Sequence, residues 1–429
     1  MKAGSTYSTG STARQSHQIC QPHQRRGIVN DQLNDVFAVD SDYYRVTDYL
    51  SDEDRALAAK VRAFVDAEVT PVINEYWEKA DFPYHLLPKV AELGIVGTAI
   101  KGYGAPGLTR LQTGLVAMEL SRGDGSFNTI NAVQSGLVMG TINLLGSEEQ
   151  KTRWLPELAA LRKLGAFALT EAAHGSDSVG LESTAELVGD EYVISGEKRW
   201  IGLGHVADVV IIWARDVADN KVKAFVMEKN ADGTYPEGYH AEAITGKMAK
   251  RAIQQAAITI TGLRVPAGNK LALSKSFRDV SSILNMTRTT VAWEALGHAQ
   301  ASYEIAVRFA NERVQFGKSI SNYQLVQYKL ANMLADLTAM QLICFRTGAL
   351  QNEGRLTNEQ ASLAKLFTGQ KSRALCREAR DMLGGNGILL ENHVARHLLD
   401  MEVVHTYEGT DSMQALILGR DITGVPAFN

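Results

Sequence analysis

Five short stretches carry residue types that could do chemistry, and they lie far apart in the chain. In Phe167-Ala168-Leu169-Thr170-Glu171-Ala172-Ala173-His174-Gly175-Ser176-Asp177, backbone amides and the Thr170 hydroxyl could meet a polar ring edge or a phosphate. A loop turning on Gly175, with Ser176 and Asp177 capping, accounts for the same residues. In Glu197-Lys198-Arg199-Trp200-Ile201-Gly202 an indole beside glycine could cover a flat cofactor, although such a run alone is more often a packed strand end. Asp381-Met382-Leu383-Gly384-Gly385-Asn386-Gly387 offers a backbone that can approach a pyrophosphate closely, and equally a helix C-cap followed by a turn. Arg313, in Arg313-Val314-Gln315-Phe316-Gly317, is either a phosphate ligand or a cation favoured at a helix C-terminus by the dipole. Glu408, in Tyr407-Glu408-Gly409-Thr410, reads by itself as a helix-flanking surface carboxylate.

Several other chemistries find no residues to support them. GxxxxGK followed by Ser or Thr is absent, as is a strand leading into GxGxxG, so neither a P-loop nor an ordinary Rossmann site is indicated. GxSxG is also absent, which removes the commonest ester hydrolase. The three cysteines, Cys20, Cys344 and Cys376, form no CxxC and read as reduced core thiols; no metal site is expected. His393 and His397 stand at i,i+4 spacing without a third ligand, and are expected to face solvent or a subunit contact.

The elements that must position these residues follow from hydrophobic period. Of 429 residues 45% are hydrophobic and 21% charged, enough for two or three packed units. A net charge of -4 gives no general attraction to nucleic acid or anionic membrane, and no apolar run approaches a bilayer span. Residues 1–40, rich in Ser, Gln, His and Gly with no acidic residue before Asp31, are expected to be a disordered tail. A transit peptide is the weaker reading of that tail, so a cytoplasmic location is expected, with the mitochondrial matrix as the alternative in a eukaryote. Helical spacing begins after a capping arrangement at Ser51 and Asp54 and recurs over 85–93, 109–121 and 147–161, giving a helical domain over 41–162. Short β-branched runs at 191–194, 209–213, 224–227 and 257–261 give a β domain over 163–272. Long helices over about 278–312, 321–353 and 357–382, nearly free of Pro, give a bundle over 273–429. The class is α+β, mainly α.

In this order the stretches resemble the acyl-CoA dehydrogenase and oxidase superfamily over roughly residues 45–429. L-T-E-P-x-x-G-S-D appears as Leu169 to Asp177, K-x-W-I-T as Lys198 to Gly202, and R-x-x-F-G as Arg313 to Gly317. L-G-G-x-G appears as Leu383 to Gly387, and Y-E-G-T as Tyr407 to Thr410. The C-terminal run from Leu416 to Gly424 looks most like glutaryl-CoA dehydrogenase and the plant short-chain acyl-CoA oxidases. The resemblance implies a helical domain, a β-barrel-like middle domain and a four-helix bundle around FAD. By position, Phe167, Leu169, Thr170, Ser176, Trp200, Ile201 and Gly202 would line the flavin, with Thr410, Asp411 and Phe428 along the rest of FAD. Arg313, Gln315, Gln324, Asp381, Gly384 and Gly385 would reach the FAD of a neighbouring subunit, implying a homodimer or homotetramer. Asn128, Thr129, Ser176, Met286, Arg288, Trp293 and Gly409 would hold the acyl-CoA. Glu408 would be the base that takes the thioester α-proton, while the β-hydride passes to flavin; its own backbone N–H and a ribityl hydroxyl would bond the thioester oxygen. Some members carry the base directly before the Arg matching Arg288, where this chain has Thr287, a residue that cannot serve.

Two departures bear on function. Gly202 stands where many dehydrogenases have a Thr bonding flavin N5, leaving the acceptor open between electron-transfer flavoprotein and O2. Asn128 stands where glutaryl-CoA dehydrogenase has an Arg for the distal carboxylate, so a short uncharged acyl chain is expected. A non-catalytic acyl-CoA-binding member is the third reading.

Overall fold

The computed structural model describes residues 40–427. The N-terminal tail up to residue 39 and Phe428 therefore lie outside the described residues. The first third is helical: α1 (Asp52–Phe64), α2 (Ile73–Lys79), α3 (Leu87–Glu92), a two-residue hairpin β1 (Lys101–Gly102) and β2 (Ala105–Pro106), α4 (Arg110–Gly123), α5 (Gly125–Asn131), α6 (Gly140–Leu145) and α7 (Glu148–Ala159). Capping boxes at Ser51/Asp54 and Ser147/Gln150 start α1 and α7 where the spacing placed them, satisfying amides the helix itself cannot. The sequence does not announce the π-helical stretches 65–69 and 132–139, because their apolar positions follow no single period.

The middle of the chain forms one sheet from β3 (Gly165–Ala168), β4 (Thr184–Val188), β5 (Glu191–Gly202), β6 (Val209–Asp216), β7 (Lys221–Glu228), β8 (Tyr239–Ala243) and β9 (Gln255–Pro266). Its order is β3-β6-β4-β5-β9-β8, with β7 also on β6. Val209 to Trp213 are all buried, so β6 is covered on both faces and reads as an unbroken apolar run. Strands β5 and β9 pair antiparallel, with a register shift between Lys198 and Ile201 that kinks β5.

The last third holds α8 (Phe277–Glu312), the hairpin β10 (Val314–Gln315) and β11 (Lys318–Ser319), α9 (Gln324–Asn352), α10 (Asn358–Met382), α11 (Val394–Thr406) and α12 (Asp411–Thr423). A core of Leu115, Trp293, Leu296, Met340 and Cys344 joins α4 to α8 and α9, while Trp154, Trp213, Phe82 and Phe127 belong to the core beneath the sheet. Cys344 and Cys376 are free and buried. Among the described residues no helix is long and apolar enough to cross a membrane, and no group of three His, Cys, Asp or Glu could hold a metal.

One expectation is corrected. His397 does not face solvent: it is 2% exposed, and its Nδ1 lies 2.9 Å from Nδ1 of His298 on α8. Burial, together with nearby Lys250 and Arg396, drives His298 well below the ordinary imidazole range, and burial beside His298 does the same to His397. Two neutral rings can share one hydrogen bond, so the pair is a core contact.

Candidate active site

The helices α11 and α12 meet at a four-residue turn, Tyr407 to Thr410, whose backbone has two consecutive left-handed residues, Glu408 at φ 56° and Gly409 at φ 84°. Glycine accepts that region freely, whereas a glutamate is held there only if its surroundings demand it. The demands are visible. The Gln414 side-chain amide donates to the carbonyls of Glu408 at 3.2 Å and Gly409 at 3.0 Å, and Lys365 Nζ donates to the Gly409 carbonyl at 2.7 Å. Thr410 caps α12 by accepting from the Met413 amide at 3.2 Å. On the other side, the Tyr407 hydroxyl donates to Glu294 of α8, itself paired with the buried Lys250.

Held in this turn, Glu408 is half-buried, and its Oε1 accepts from the Thr287 hydroxyl at 2.6 Å. Burial raises its pKa above the ordinary carboxylate value, while the Thr287 hydrogen bond and the cations Arg288 and Lys365 hold the rise in check. The structure thus brings together the candidate base and the position that could not be one. Thr287 bonds the ionised form, so removing its hydroxyl must raise the Glu408 pKa further. In Thr287→Val the acid limb of kcat against pH is expected to move to higher pH by about half to one unit; an unmoved limb would deny Thr287 this contact in the working enzyme.

A second group of candidates surrounds the sheet edge. Glu171 accepts from the Glu182 amide (2.7 Å), the Ser183 hydroxyl (2.6 Å) and Lys198 Nζ (2.8 Å). Lys198, 1% exposed, also donates to the carbonyls of Leu169 and Trp213. Burial opposes ionisation of Glu171, but these donors outweigh it and hold its carboxyl down to about 2. This ion pair fixes the loop carrying Thr170, whose carbonyl accepts from the Arg199 amide at 2.8 Å. The kink in β5 then puts Trp200 at φ 65° with its indole 53% exposed and the Arg199 guanidinium 5.3 Å from the ring centroid. Phe167, Leu169 and Ile201 are buried, Phe167 edge-on to Trp213 at 5.9 Å. Gly202 ends β5; a Cβ there would meet Val133 at an ordinary 3.6 Å, so packing does not require glycine. Ser176 lies exposed on the loop.

A third group lines a cavity of about 400 Å³ between the end of α8 and the end of α10. Arg313, Gln315, Gly384 and Gly385 all contribute to it. Gly384 is left-handed at φ 58°, which is why glycine ends this helix. Two candidates stand apart: Asp381 pairs with Lys329 of α9 at 2.5 Å, and Gln324 is exposed at the start of α9.

Among the acyl-CoA candidates, Asn128 is 1% exposed and neither of its side-chain polar atoms has a partner, an arrangement that leaves hydrogen-bonding capacity unused in the interior. Thr129 donates to the Gly125 carbonyl at 2.8 Å, and its hydroxyl is in bonding reach of Tyr407. Arg288 bonds Asn358 and Ser362 of α10 and keeps Nε unpartnered. Met286 is half-buried, 3.9 Å from Arg110. Trp293 lies in the bundle core against Phe345, 5.1 Å between rings, where Gly114 leaves room for its indole. Asp411 is buried beside His405, 2.7 Å from its Nδ1. An exposed flat indole beside a fixed polar loop suits an isoalloxazine ring, and an arginine beside two glycines with open space suits a pyrophosphate, so the residues present fit FAD.

The acyl-CoA dehydrogenase N-terminal, middle and C-terminal domain families match residues 51–162, 166–263 and 277–423. A crystal structure of a glutaryl-CoA dehydrogenase from Mycobacterium smegmatis, in complex with FADH2, is 36% identical with a TM-score of 0.87, covering 90% of this chain and 98% of that one. Butyryl-CoA dehydrogenase from Megasphaera elsdenii is 28% identical with a TM-score of 0.82, covering 87% and 98%. The caffeyl-CoA reductase-Etf complex subunit CarC of Acetobacterium woodii is 29% identical over 86% of this chain and 98% of its own length.

Proposed function

Because this chain belongs to the acyl-CoA dehydrogenase family of FAD-dependent oxidoreductases acting on CH–CH bonds, we propose that it oxidises a short, uncharged acyl-CoA to the trans-2-enoyl-CoA and passes the electrons to an electron-transfer flavoprotein. The observation that carries this reading is the Glu408 carboxylate, presented by a strained turn and raised above its ordinary pKa by burial. Such a group takes a thioester α-proton far better than water does. Bound beside Thr170 and Trp200, FAD would supply the two-electron sink for the hydride leaving the β-carbon. Around it the chain's own residues orient and exclude water: Thr287 aims the carboxylate, Trp200 screens the ring, and Arg313 with the Gly384–Gly385 turn would hold the pyrophosphate of a neighbouring subunit's FAD.

Asn128 supports the choice of acyl chain, since a buried neutral amide cannot replace a charge-assisted pair to a distal carboxylate. The similar Etf-complex subunit and butyryl-CoA dehydrogenase support the acceptor and the chain length. Apolar side chains standing in solvent, Phe316 next to the cavity-lining Gln315 at 95% and Leu325 at the start of α9 at 79% exposed, support a homodimer or homotetramer. A second reading, an oxidase using O2, rests on Gly202, which brings no hydroxyl to the flavin.

Anaerobic titration of the yellow holoenzyme tests these readings together. Butyryl-CoA is expected to bleach the flavin, and glutaryl-CoA to do so more slowly; faster bleaching by glutaryl-CoA would overturn the acyl assignment. The bleached enzyme is expected to stay colourless in air and to recolour with electron-transfer flavoprotein. Rapid recolouring in air would favour the oxidase, and no bleaching at any chain length would leave binding alone.

A further inference from the structure

Among the described residues three lysines are sunk in the interior, and they use their charge differently. Lys198 pairs with Glu171 at 2.8 Å and Lys250 pairs directly with Glu294. Lys365, on α10 and 2% exposed, keeps its nearest carboxylate, Asp411, at 3.9 Å and points its ammonium at the Gly409 carbonyl, 2.7 Å away. Burying an ammonium is costly, and a neutral carbonyl returns less than a carboxylate would. The carbonyl it holds belongs to the second of two left-handed residues, the first being Glu408. Gln414 grips the same carbonyl and that of Glu408, so the two-residue turn is clamped from α10 and from α12.

We propose that Lys365 is a positioning residue for the base: its ammonium holds the Glu408–Gly409 turn in the shape that aims the carboxylate, and its charge favours the ionised carboxylate. The role rests on the reading of Glu408 as base given above. The charged groups that act on Lys365 are Glu408 from the turn, Asp411 from α12, and Arg288 and Glu294 from α8. Burial pushes the Lys365 ammonium down to about 8, so the clamp is charged at neutral pH and is released as pH rises through that value.

The test compares purified, FAD-loaded wild-type enzyme with Lys365→Met and Gln414→Leu on butyryl-CoA. Loss of the cation must raise the Glu408 pKa, so in Lys365→Met the acid limb of kcat is expected to move up by about one unit. Its plateau kcat is expected to fall about ten- to a hundredfold from misplacement of the carboxylate, with KM nearly unchanged. Gln414→Leu, which removes an uncharged clamp, is expected to lower kcat and leave the limb in place. A flavin-loaded Lys365→Met with wild-type kcat and limb would overturn the proposal, as would one whose stability alone drops. If Lys365→Met yields no holoenzyme, wild-type kcat in Gln414→Leu overturns it and a lowered kcat supports it. Glu408→Gln run alongside separates the two claims: an active variant removes the base assignment itself, whereas an inactive one beside an unaltered Lys365→Met removes only the positioning role.

Discussion

Replacing Glu408 by glutamine is expected to lower kcat about 10³- to 10⁴-fold while leaving acyl-CoA binding nearly intact. The amide keeps the shape of the side chain and can still bond the Thr287 hydroxyl oxygen, so the turn and its Gln414 and Lys365 contacts have no reason to move. What disappears is the carboxylate that the turn presents to the α-proton: the neighbouring Thr287 is far too weak a base at neutral pH, and Arg288 and Lys365 are cations. In the wild type, burial raises the Glu408 pKa, so kcat is expected to fall as pH drops through a value above the ordinary 4.5. Steady-state kcat with the binding constant from flavin spectral perturbation distinguishes a lost base from a lost site. A Glu408→Gln variant within tenfold of wild type would transfer the role elsewhere.

The second large effect concerns stability. Lys198→Met is expected to destabilise the holoenzyme by about 3–5 kcal/mol, because it strands the Glu171 carboxylate in the interior. The loss extends to function, since Lys198 also ties the carbonyls of Leu169 and Trp213, and the loop it fixes presents Thr170 beside Trp200. Weaker FAD retention on dilution is therefore expected together with a lower unfolding midpoint in urea. The same pair has a pH signature. Glu171 is held down to about 2 in the folded protein against an ordinary 4.5, so its stabilisation is complete above about 4.5 and is lost as pH falls toward 2. Wild type and Lys198→Met should thus converge in stability in strong acid; an unchanged urea midpoint at neutral pH would show the pair to be dispensable.

Much of this architecture was legible in the residues. Strong 3.6-residue spacing placed the long helices to within a few positions, 278–312 against Phe277–Glu312 and 357–382 against Asn358–Met382. The strands were foreseen too short: Glu191–Gly202 runs well past its β-branched start, because polar residues such as Glu197 and Lys198 complete a strand whose pairing with β9 supplies the hydrogen bonds. Helices α11 and α12 had no readable pattern, as His397, Asp400 and Gln414 occupy buried positions where apolar residues would have marked a face.

The site divides along the same physical line. Motif residues flagged Thr170, Trp200, Arg313 and Glu408, which stand in three separate groups: Thr170 with Trp200 at the sheet edge, Arg313 at the cavity, and Glu408 in its turn. What sequence missed is the polar scaffolding behind them: Glu294 with Lys250, Lys198 with Glu171, Lys365 and Gln414. These partners are far apart in the chain, and the charge of a residue alone does not tell a buried clamp from a solvated surface group. The one available signal was a lysine inside an otherwise apolar helical stripe, as at Ala361-Ser362-Leu363-Ala364-Lys365-Leu366. Trp293 packs in the bundle core against Phe345, since an indole fills a helix interface as readily as it covers a ligand.

The most direct measurement of what Glu408 does is the single-turnover bleaching of the flavin when holoenzyme is mixed anaerobically with butyryl-CoA, unlabelled or deuterated at C2. Wild-type enzyme is expected to bleach more slowly with the deuterated substrate, and Glu408→Gln to bind both and bleach with neither. Equal rates for the two substrates in wild type, together with bleaching of Glu408→Gln at the wild-type rate, would contradict the assignment of Glu408 as the residue that removes the α-proton.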